Sequence, residues 1–432
     1  MKHIFFATNG LGGGGTNVSR FVVYFDIINL KNVGLLLNYY YLNTDIPKGT
    51  AFDQDILKEI TQYSDINKFL EKVSEHFINK GRRVPLDQQS KIWSPKSILD
   101  SGIGNILRDM VVNNEYTHEK ISELINDYHV FAENVSFEYV VALDYALKYT
   151  HKKGETESLD YKKFSSEIAA YEELNLDLLE TTLGFRKTNR MKQKILAPIH
   201  GYDYNSYISN LNQILEIEMK VGVKFDGFAI GGIANTRSLD SDTWKVPAHF
   251  NKTQKSGFIN ASLTNEIKQF LLEKDDERWI HILGSGNIFN IPFITMFGGD
   301  SSDCHSAWRR ASDGSREGTS RSKYLIPLLD SNLEFFNNRN LLKYIKIDEV
   351  SNIKCECSVC SEYNIEELKK LYFSNDNECH YYSKILLYIH SLNQYERIIE
   401  FSQKPDYISL LTKTPDNEFN TKCEELINTL LG

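Results

Sequence analysis

The sequence predicts an α/β fold, a TIM-like (β/α)8 barrel, and three observations support this prediction. Short apolar runs alternate with stretches of helical apolar spacing over roughly 200 residues, as expected of parallel strands covered by helices. The runs are apolar at successive positions, which is typical of strands buried on both faces. Polar residues or glycines follow the runs directly, at the rim where such barrels hold their active sites. A doubly wound sheet, which also binds ligands at this edge, is the alternative.

The individual elements follow from these patterns. Strands are expected at residues 97–99, 139–143, 195–199, 227–230 and 279–283. Helices are expected at residues 121–128, 167–181 and 204–219, where apolar residues recur every three or four positions. Asp100, Asp144, His200 and Gly231 each follow a predicted strand, so we expect them at one rim of the barrel.

Four regions are predicted along the 432-residue chain, which is long enough for one barrel and an appendage. Residues 1–85 fit the alternation poorly and are expected to form a divergent N-terminal region joined to the barrel. Residues 86–350 would form the catalytic barrel, residues 351–400 a zinc-binding subdomain, and residues 401–432 a helical tail.

The bulk composition predicts a soluble, cytoplasmic protein that does not enter a membrane. Its apolar runs are too short to span a bilayer, and its N-terminus does not read as a secretory signal. The chain has 49 basic and 58 acidic residues, so a nucleic-acid partner would need a local basic patch. Six cysteines are too few for a disulfide scaffold.

Three cysteines within six residues and one distant histidine predict a closed metal site. The ligands would be Cys355, Cys357, Cys360 and His390. Three sulfurs and one imidazole suit Zn²⁺, and four protein ligands leave no position for a reacting water, so the zinc would be structural. His380 is the competing imidazole.

Four further motifs could carry chemistry, and each also has a plainer interpretation. Asp100 could be catalytic or could cap a helix, and Asp144 could be a loop residue. The double glycine at 231–232 could let backbone approach a flat ligand, or could form a tight turn. Asp300 and Asp303 could be a metal site, a turn, or a nucleophile with its support.

Taken in order along residues 86–400, these motifs resemble those of the tRNA-guanine transglycosylase superfamily, whose members exchange a guanine base for a 7-deazaguanine. The segments that carry the resemblance are Leu99-Asp-Ser-Gly102, Ala142-Leu-Asp144, Phe225 through Gly232, Gly299-Asp-Ser-Ser-Asp-Cys304 and the zinc cluster. One such match is weak, but five in the same order are specific.

The resemblance implies roles for individual residues. Asp303 would attack the nucleoside C1′ and form a covalent glycosyl-enzyme, and Asp100 would be the general base. Asp144 would grip the N–H edge of the base. The other residues implied to bind the base are Ser101, His200, Gly231 and Gly232. Met296 and Tyr324 are candidates for stacking on it.

The sequence departs from the tRNA enzymes in ways that favour DNA. His200-Gly201 stands where the family has Gln-Gly, and Ser302 stands where a Phe precedes the nucleophile. The pattern Pro-Thr-Arg-Asn-Ala-Arg, which helps read the tRNA anticodon, is missing after Cys304. The DNA 7-deazaguanine transglycosylases diverge in these places but keep the carboxylates and the zinc site. The resemblance therefore implies DNA and free 7-cyano-7-deazaguanine as substrates.

A base must be flipped out of a duplex to react, so phosphate contacts are expected near the site. The best candidates are Arg309, Arg310, Arg316 and Arg321. Further basic groups lie at residues 186–194 and 80–83, and solvated surface is the plainer interpretation of each group.

Three other functions remain open. The chain could modify tRNA, could be a non-catalytic subunit of a transglycosylase dimer, or could be an unrelated zinc-stabilised hydrolase. No nucleotide-triphosphate loop is present in the sequence, so any need for ATP would fall to a partner protein.

Overall fold

The computed structural model describes residues 3–8, 30–39, 96–102, 107, 110, 115–135, 137–145, 165–189, 191–233, 244–250, 252–312, 322–325, 344–350, 355–403, 425 and 427–429. Within these residues, no helix combines the length and the apolar character needed to cross a bilayer.

Eight parallel strands close into a barrel, which confirms the predicted (β/α)8 architecture. The strands are β1 (Ile4–Thr8), β2 (Val33–Asn38), β3 (Ser97–Asp100), β4 (Tyr139–Val141), β5 (Lys194–Ile199), β6 (Gly227–Ile230), β7 (Trp279–Ile282) and β8 (Ser301–Cys304). Each strand pairs with the next along the chain, and β8 pairs with β1 to close the ring.

Helices cover the barrel, and the three predicted from spacing are present. They are α1 (His118–Val135), α2 (Ser165–Asn189), α3 (Tyr204–Val221), α4 (Lys252–Leu272), α5 (Ile291–Met296) and α6 (Ser306–Ser312). Helix α3 shows why the boundaries fall where they do. Asp203 and Ser206 form a capping box at its start, and Gly222 ends it with a left-handed φ of 77°.

The barrel interior has an apolar lower part and a polar upper part. Alternate residues of each strand point inward, and eight of them form one buried apolar cluster. Its members are Ile4, Phe6, Leu36, Ile98, Tyr139, Val141, Leu196 and Ala229. Two positions beyond Ile98 the same face of β3 carries Asp100. The filled base of the barrel therefore supports a polar layer at the C-terminal mouth.

The barrel begins earlier than residue 86, so that predicted boundary is wrong. Strands β1 and β2 both come from residues 1–85. Sequence patterning missed β1 because it is a short run followed at once by a glycine-rich segment. It missed β8 because Ser-Ser-Asp-Cys is polar, although all four residues are buried. A strand that faces the polar layer cannot be recognised by hydrophobicity.

The C-terminal residues form a small subdomain that packs against the barrel. It contains the antiparallel pair β9 (Lys323–Leu325) and β10 (Tyr344–Lys346), and helices α7 (Ser358–Glu362), α8 (Ile365–Tyr372) and α9 (Asn377–Ser402). The ring of Tyr395 on α9 lies 4.2 Å from that of Phe5 on β1. Most of the tail predicted at residues 401–432 lies outside the described residues.

Candidate functional site

Three carboxylates predicted from separate motifs come together at the mouth of the barrel. Asp100 is the last residue of β3, Asp144 follows β4, and Asp303 lies in β8. The pKa of Asp100 is raised to about 7, chiefly by burial and further by the nearby charges of Asp144 and Asp303. Asp144 and Asp303 are therefore both within electrostatic reach of Asp100 at the mouth.

The Asp100 carboxylate is held from below by its neighbours. The side-chain amide of Asn38, the last residue of β2, donates a hydrogen bond of 3.0 Å to Asp100 Oδ2. The backbone N–H of Ser101 also donates to Asp100 and partly offsets the rise in its pKa. Gly102 follows with a φ of 55°, and a Cβ there would overlap the Asn38 side chain. The turn after β3 therefore needs glycine.

Asp144 is contacted by two of the residues predicted to bind substrate. Ser101 Oγ donates to Asp144 Oδ1 at 3.1 Å, and His200 Nε2 lies 3.1 Å from Oδ2. The backbone N–H of His200 donates to Asn210 Oδ1 at 3.0 Å, which fixes the histidine to helix α3. Ser101 and His200 thus orient Asp144. A base that contacts either residue must also lie beside Asp144.

Asp303 is held by a pair of groups from β7 and the loop after it. The backbone N–H of Gly284 donates to Asp303 Oδ1 at 2.8 Å, and His281 Nε2 lies 3.3 Å from the same oxygen. His281 is fully buried inside the barrel. His281 was not among the residues predicted from the sequence, although a histidine within an otherwise apolar predicted strand was the available signal.

The double glycine lies beside His200, where there is no room for side chains. A Cβ on Gly231 would lie 3.0 Å from His200 Cε1, and one on Gly232 would lie 2.9 Å from the Tyr207 hydroxyl. Gly232 also has a φ of 81°. Tyr207 donates to the Gly231 carbonyl, which anchors this turn to α3. Gly231 is buried and Gly232 is exposed, so the structure requires glycines here for packing of the turn against His200 and Tyr207. The approach of a flat ligand to this backbone stays a prediction.

Tyr128 on α1 joins the strands that carry Asp100 and Asp144. Its hydroxyl lies 3.0 Å from the Leu99 carbonyl and 2.7 Å from the Val141 carbonyl. Burial raises the pKa of Tyr128 well above its usual range, and the nearby Asp100 and Asp144 raise it further. Tyr128 therefore stays protonated and bridges β3 to β4. Nothing in the sequence distinguished it from an ordinary core tyrosine.

Asp300 and Asp303 do not form a joint site, since Asp300 precedes β8 and Asp303 lies near its C-terminal end. Asp300 Oδ2 accepts a hydrogen bond of 2.9 Å from the backbone N–H of Ile280, near the start of β7. Three residues of a strand span about 10 Å. The interpretation of the two as a metal pair is therefore wrong, and only Asp303 faces the mouth.

The predicted metal ligands come together in the C-terminal subdomain. The ligand atoms of Cys355, Cys357, Cys360 and His390 all lie within 4.8 Å of one another. His390 presents Nδ1, at 3.8, 3.3 and 3.5 Å from the sulfurs of Cys355, Cys357 and Cys360. His380, the competitor, instead uses its Nδ1 to contact the Tyr372 carbonyl. The four residues can therefore hold a metal ion.

A second layer of contacts supports these ligands. The backbone N–H of Cys360 and the amide of Gln394 donate to the sulfurs of Cys357 and Cys355, both at 3.5 Å. Tyr324 stacks on His390 with ring centres 4.1 Å apart, and its hydroxyl lies 3.2 Å from Cys360 Sγ. Tyr324 therefore packs on the metal site, and the prediction that it stacks on a base is wrong.

The basic residues divide between the two ends of the barrel. Arg309 and Arg310 are exposed on α6, which begins two residues after β8. Arg316 and Arg321 lie outside the described residues, as do residues 80–83. Arg186 forms two short contacts with Asp226, just before β6, so part of the 186–194 group is engaged at the opposite end of the barrel.

Comparison with known proteins adds no family or relative: no protein-family model matches the chain, and no curated protein matches it.

Proposed function

We propose that this protein is a base-exchange enzyme that replaces guanine in DNA with a 7-deazaguanine, most simply 7-cyano-7-deazaguanine. The observation that carries the proposal is the convergence of Asp100, Asp144 and Asp303 at the barrel mouth, with the pKa of Asp100 raised to about 7. Carboxylates whose environments give them different proton affinities suit a reaction that needs a nucleophile and a proton-transfer group.

In the first step, Asp303 attacks C1′ and the bond from C1′ to guanine N9 breaks. The leaving guanine takes a proton, which Asp100 supplies in its protonated form. The product is an ester between Asp303 and the deoxyribose. An acid with a pKa near 7 is about half protonated at neutral pH, so the same group serves in both directions.

In the second step, the incoming 7-deazaguanine attacks C1′ and displaces Asp303. Asp100, now a carboxylate, takes the proton from the attacking nitrogen of the base, so protons balance over the cycle. Two displacements at one carbon retain its configuration. Asp144 accepts the N–H edge of either base through charge-assisted hydrogen bonds, with Ser101 and His200 keeping its carboxylate in place.

DNA is favoured as the polymer by the sequence departures from the tRNA enzymes, and the guanine must leave the stack to reach the buried carboxylates. Arg309 and Arg310 lie on the helix that follows the nucleophile strand, where they can contact phosphates. tRNA is the alternative polymer, since the same carboxylates would serve it.

The metal site suits Zn²⁺ because three thiolates and an imidazole are its preferred structural ligands. Cys355, Cys357, Cys360 and His390 would hold the ion, which would link α7 to α9 and supply folding energy rather than chemistry. Elemental analysis should find about one zinc per chain; a protein that is folded and fully active without metal would contradict this role.

The proposal is tested by incubating the purified protein with guanine-containing DNA or tRNA and free 7-cyano-7-deazaguanine, followed by nucleoside mass spectrometry. We expect the modified nucleoside in DNA. Modification of tRNA alone would establish the alternative polymer. Release of guanine without incorporation would indicate a hydrolase, and no change in either polymer would overturn the proposal.

A further inference from the structure

The fully buried histidine below Asp303 has no role in the reaction as described so far. His281 lies on β7, with its Nε2 3.3 Å from Asp303 Oδ1 and its Nδ1 2.8 Å from Ser301 Oγ. Its Nε2 is buried and makes no hydrogen bond of ordinary geometry within the described residues. A buried polar atom left in this state needs an explanation, and Asp303 is the group it faces.

Trp279 and Ser301 determine which ring nitrogen of His281 carries the proton. The indole Nε1–H of Trp279 can only donate, and it donates to Ser301 Oγ at 2.8 Å. Ser301 is fully buried, so its own hydroxyl proton needs an acceptor. Among the contacts of Ser301 Oγ in the described part of the chain, His281 Nδ1 fills that need. The imidazole proton is then on Nε2, which faces Asp303.

We propose that His281 is the positioning residue of the nucleophile, and that Trp279 and Ser301 fix its tautomer. This inference rests on the proposed function, because it assigns His281 to Asp303 as the group attacking C1′. The donors run in one direction along the barrel interior, from Trp279 through Ser301 and His281 to Asp303. At 3.3 Å this contact lacks the geometry of a hydrogen bond, and we expect it to tighten into one as the reaction proceeds.

The chain of donors orients Asp303 for its attack on C1′ and also stabilises its carboxylate when it is displaced. When Asp303 is esterified through its other oxygen, Oδ1 becomes an ester carbonyl that faces Gly284 N–H and His281 Nε2–H. As the incoming base displaces Asp303, negative charge returns to the carboxylate, and two fixed donors stabilise it. Removing His281 should therefore slow breakdown of the covalent intermediate, and should leave binding of the free base nearly unchanged.

Four variants test this inference by single-turnover kinetics of adduct formation and breakdown. His281→Phe removes the donor and should slow breakdown by about 10²-fold, the effect of losing one such donor elsewhere. His281→Gln places an amide N–H where Nε2 was and should recover part of the rate, whereas the shorter His281→Asn should not. Ser301→Ala should slow breakdown by roughly tenfold, because the imidazole can then adopt the other tautomer.

Nitrogen NMR of ring-labelled histidine gives a readout that does not depend on activity. The His281 signal, identified by its loss in His281→Gln, should report a neutral ring protonated at Nε2. It should shift toward the other tautomer in Ser301→Ala and in Trp279→Phe, which keeps an aromatic ring stacked on Tyr139 but loses the N–H. A ring protonated at Nδ1 in the wild type would overturn the inference.

The outcomes separate this inference from the proposed function. If the wild type exchanges no base in DNA or tRNA, the proposed function fails, and with it the role of His281 in the reaction. If the wild type exchanges bases and folded His281→Phe breaks down its adduct at the normal rate, only the inference on His281 fails. If His281→Phe does not fold, Ser301→Ala and Trp279→Phe decide the question, since normal breakdown rates in both would contradict it.

Discussion

Carboxylates lie in groups at both ends of this barrel, and their surroundings shift the pKa in opposite directions in the two groups. Near the strand N-termini, Arg278 contacts both Asp276 and Glu218, and its guanidinium lies 4.5 Å from the ring centre of Phe228. Although burial alone would raise it, the pKa of Asp276 is lowered by the hydrogen bonds and charge of Arg278. At the mouth, burial and like charges raise the pKa of Asp100 to about 7.

We interpret the lower group as serving stability, and the mouth group as serving chemistry if the proposed function holds. A carboxylate paired with arginine in two short contacts holds its charge and its position. The partners seen around the mouth carboxylates are instead an amide, a hydroxyl, backbone N–H groups and two histidines. These partners orient the carboxylates without neutralising them, which leaves them able to bond to a substrate or exchange a proton.

Removing Arg278, which pairs with the carboxylates near the strand N-termini, should destabilise the fold. Arg278→Leu leaves Glu218, whose side chain is only 2% exposed, as an uncompensated buried charge. We expect a loss of about 3–5 kcal/mol in the free energy of unfolding, measured by urea denaturation. Lys220→Leu is the matched control, because the Lys220–Glu180 pair is exposed and should contribute less than about 1 kcal/mol. Equal losses in the two variants would contradict this view.

Removing the Asp100 carboxylate at the mouth should instead increase the free energy of unfolding. The folded protein holds a proton on Asp100 up to about pH 7, whereas the unfolded chain releases it near pH 4, so folding loses stability as pH rises between these values. Asp100→Asn should therefore raise the free energy of unfolding by about 1–2 kcal/mol at pH 8 and by nearly nothing at pH 4. A variant no more stable than the wild type at pH 8 would show that the ionised Asp100 carboxylate does not destabilise the fold.

The same proton should appear in the kinetics of the two half-reactions. Incorporation of the free base needs Asp100 as a carboxylate, so its single-turnover rate should rise about tenfold between pH 6 and 8. Release of guanine needs the protonated form and should fall over the same range. The apparent midpoint, near 7, belongs to the coupled carboxylates together. Parallel pH profiles for the two half-reactions would be inconsistent with one group acting in both.

The smallest expected effect concerns the exposed arginines beside the mouth. Arg309→Gln combined with Arg310→Gln should weaken DNA binding severalfold and reduce the slope of log Kd against log salt by about 1–2. Lys192→Gln, an exposed residue just before β5 at the other end of the barrel, should change neither quantity. An effect of Lys192→Gln as large as that of the double variant would place the DNA elsewhere.

The strands of this fold could be predicted from the sequence where they are apolar, but not where they carry the polar residues of the mouth. Strands β3 to β7 were recognisable because their buried runs end at a polar residue or glycine. Strand β8 was not, because its residues line the polar layer. The three cysteine ligands were predictable from their local spacing, whereas spacing alone left His380 as a competitor of His390.

Contacts across the barrel could not be predicted in the same way. His281 and Asp303 lie on adjacent strands, but their separation depends on the register of β7 against β8, which pairs His281 with Ser301. Tyr128 reaches the mouth strands from a helix whose other buried residues, apart from His129, are ordinary apolar core. Strand β1 closes the barrel by pairing with β8, although the sequence had set residues 1–85 apart from the barrel.

The most direct test of the central claim is to trap the covalent intermediate and locate it. Denatured mixtures of enzyme and DNA should contain a protein–DNA adduct, and peptide mass spectrometry should place it on Asp303. Asp303→Asn should give no adduct and lose base exchange by roughly 10³-fold or more. Asp300→Asn, just before the same strand, should retain both. An adduct that survives in Asp303→Asn, or that maps to another residue, would contradict the account.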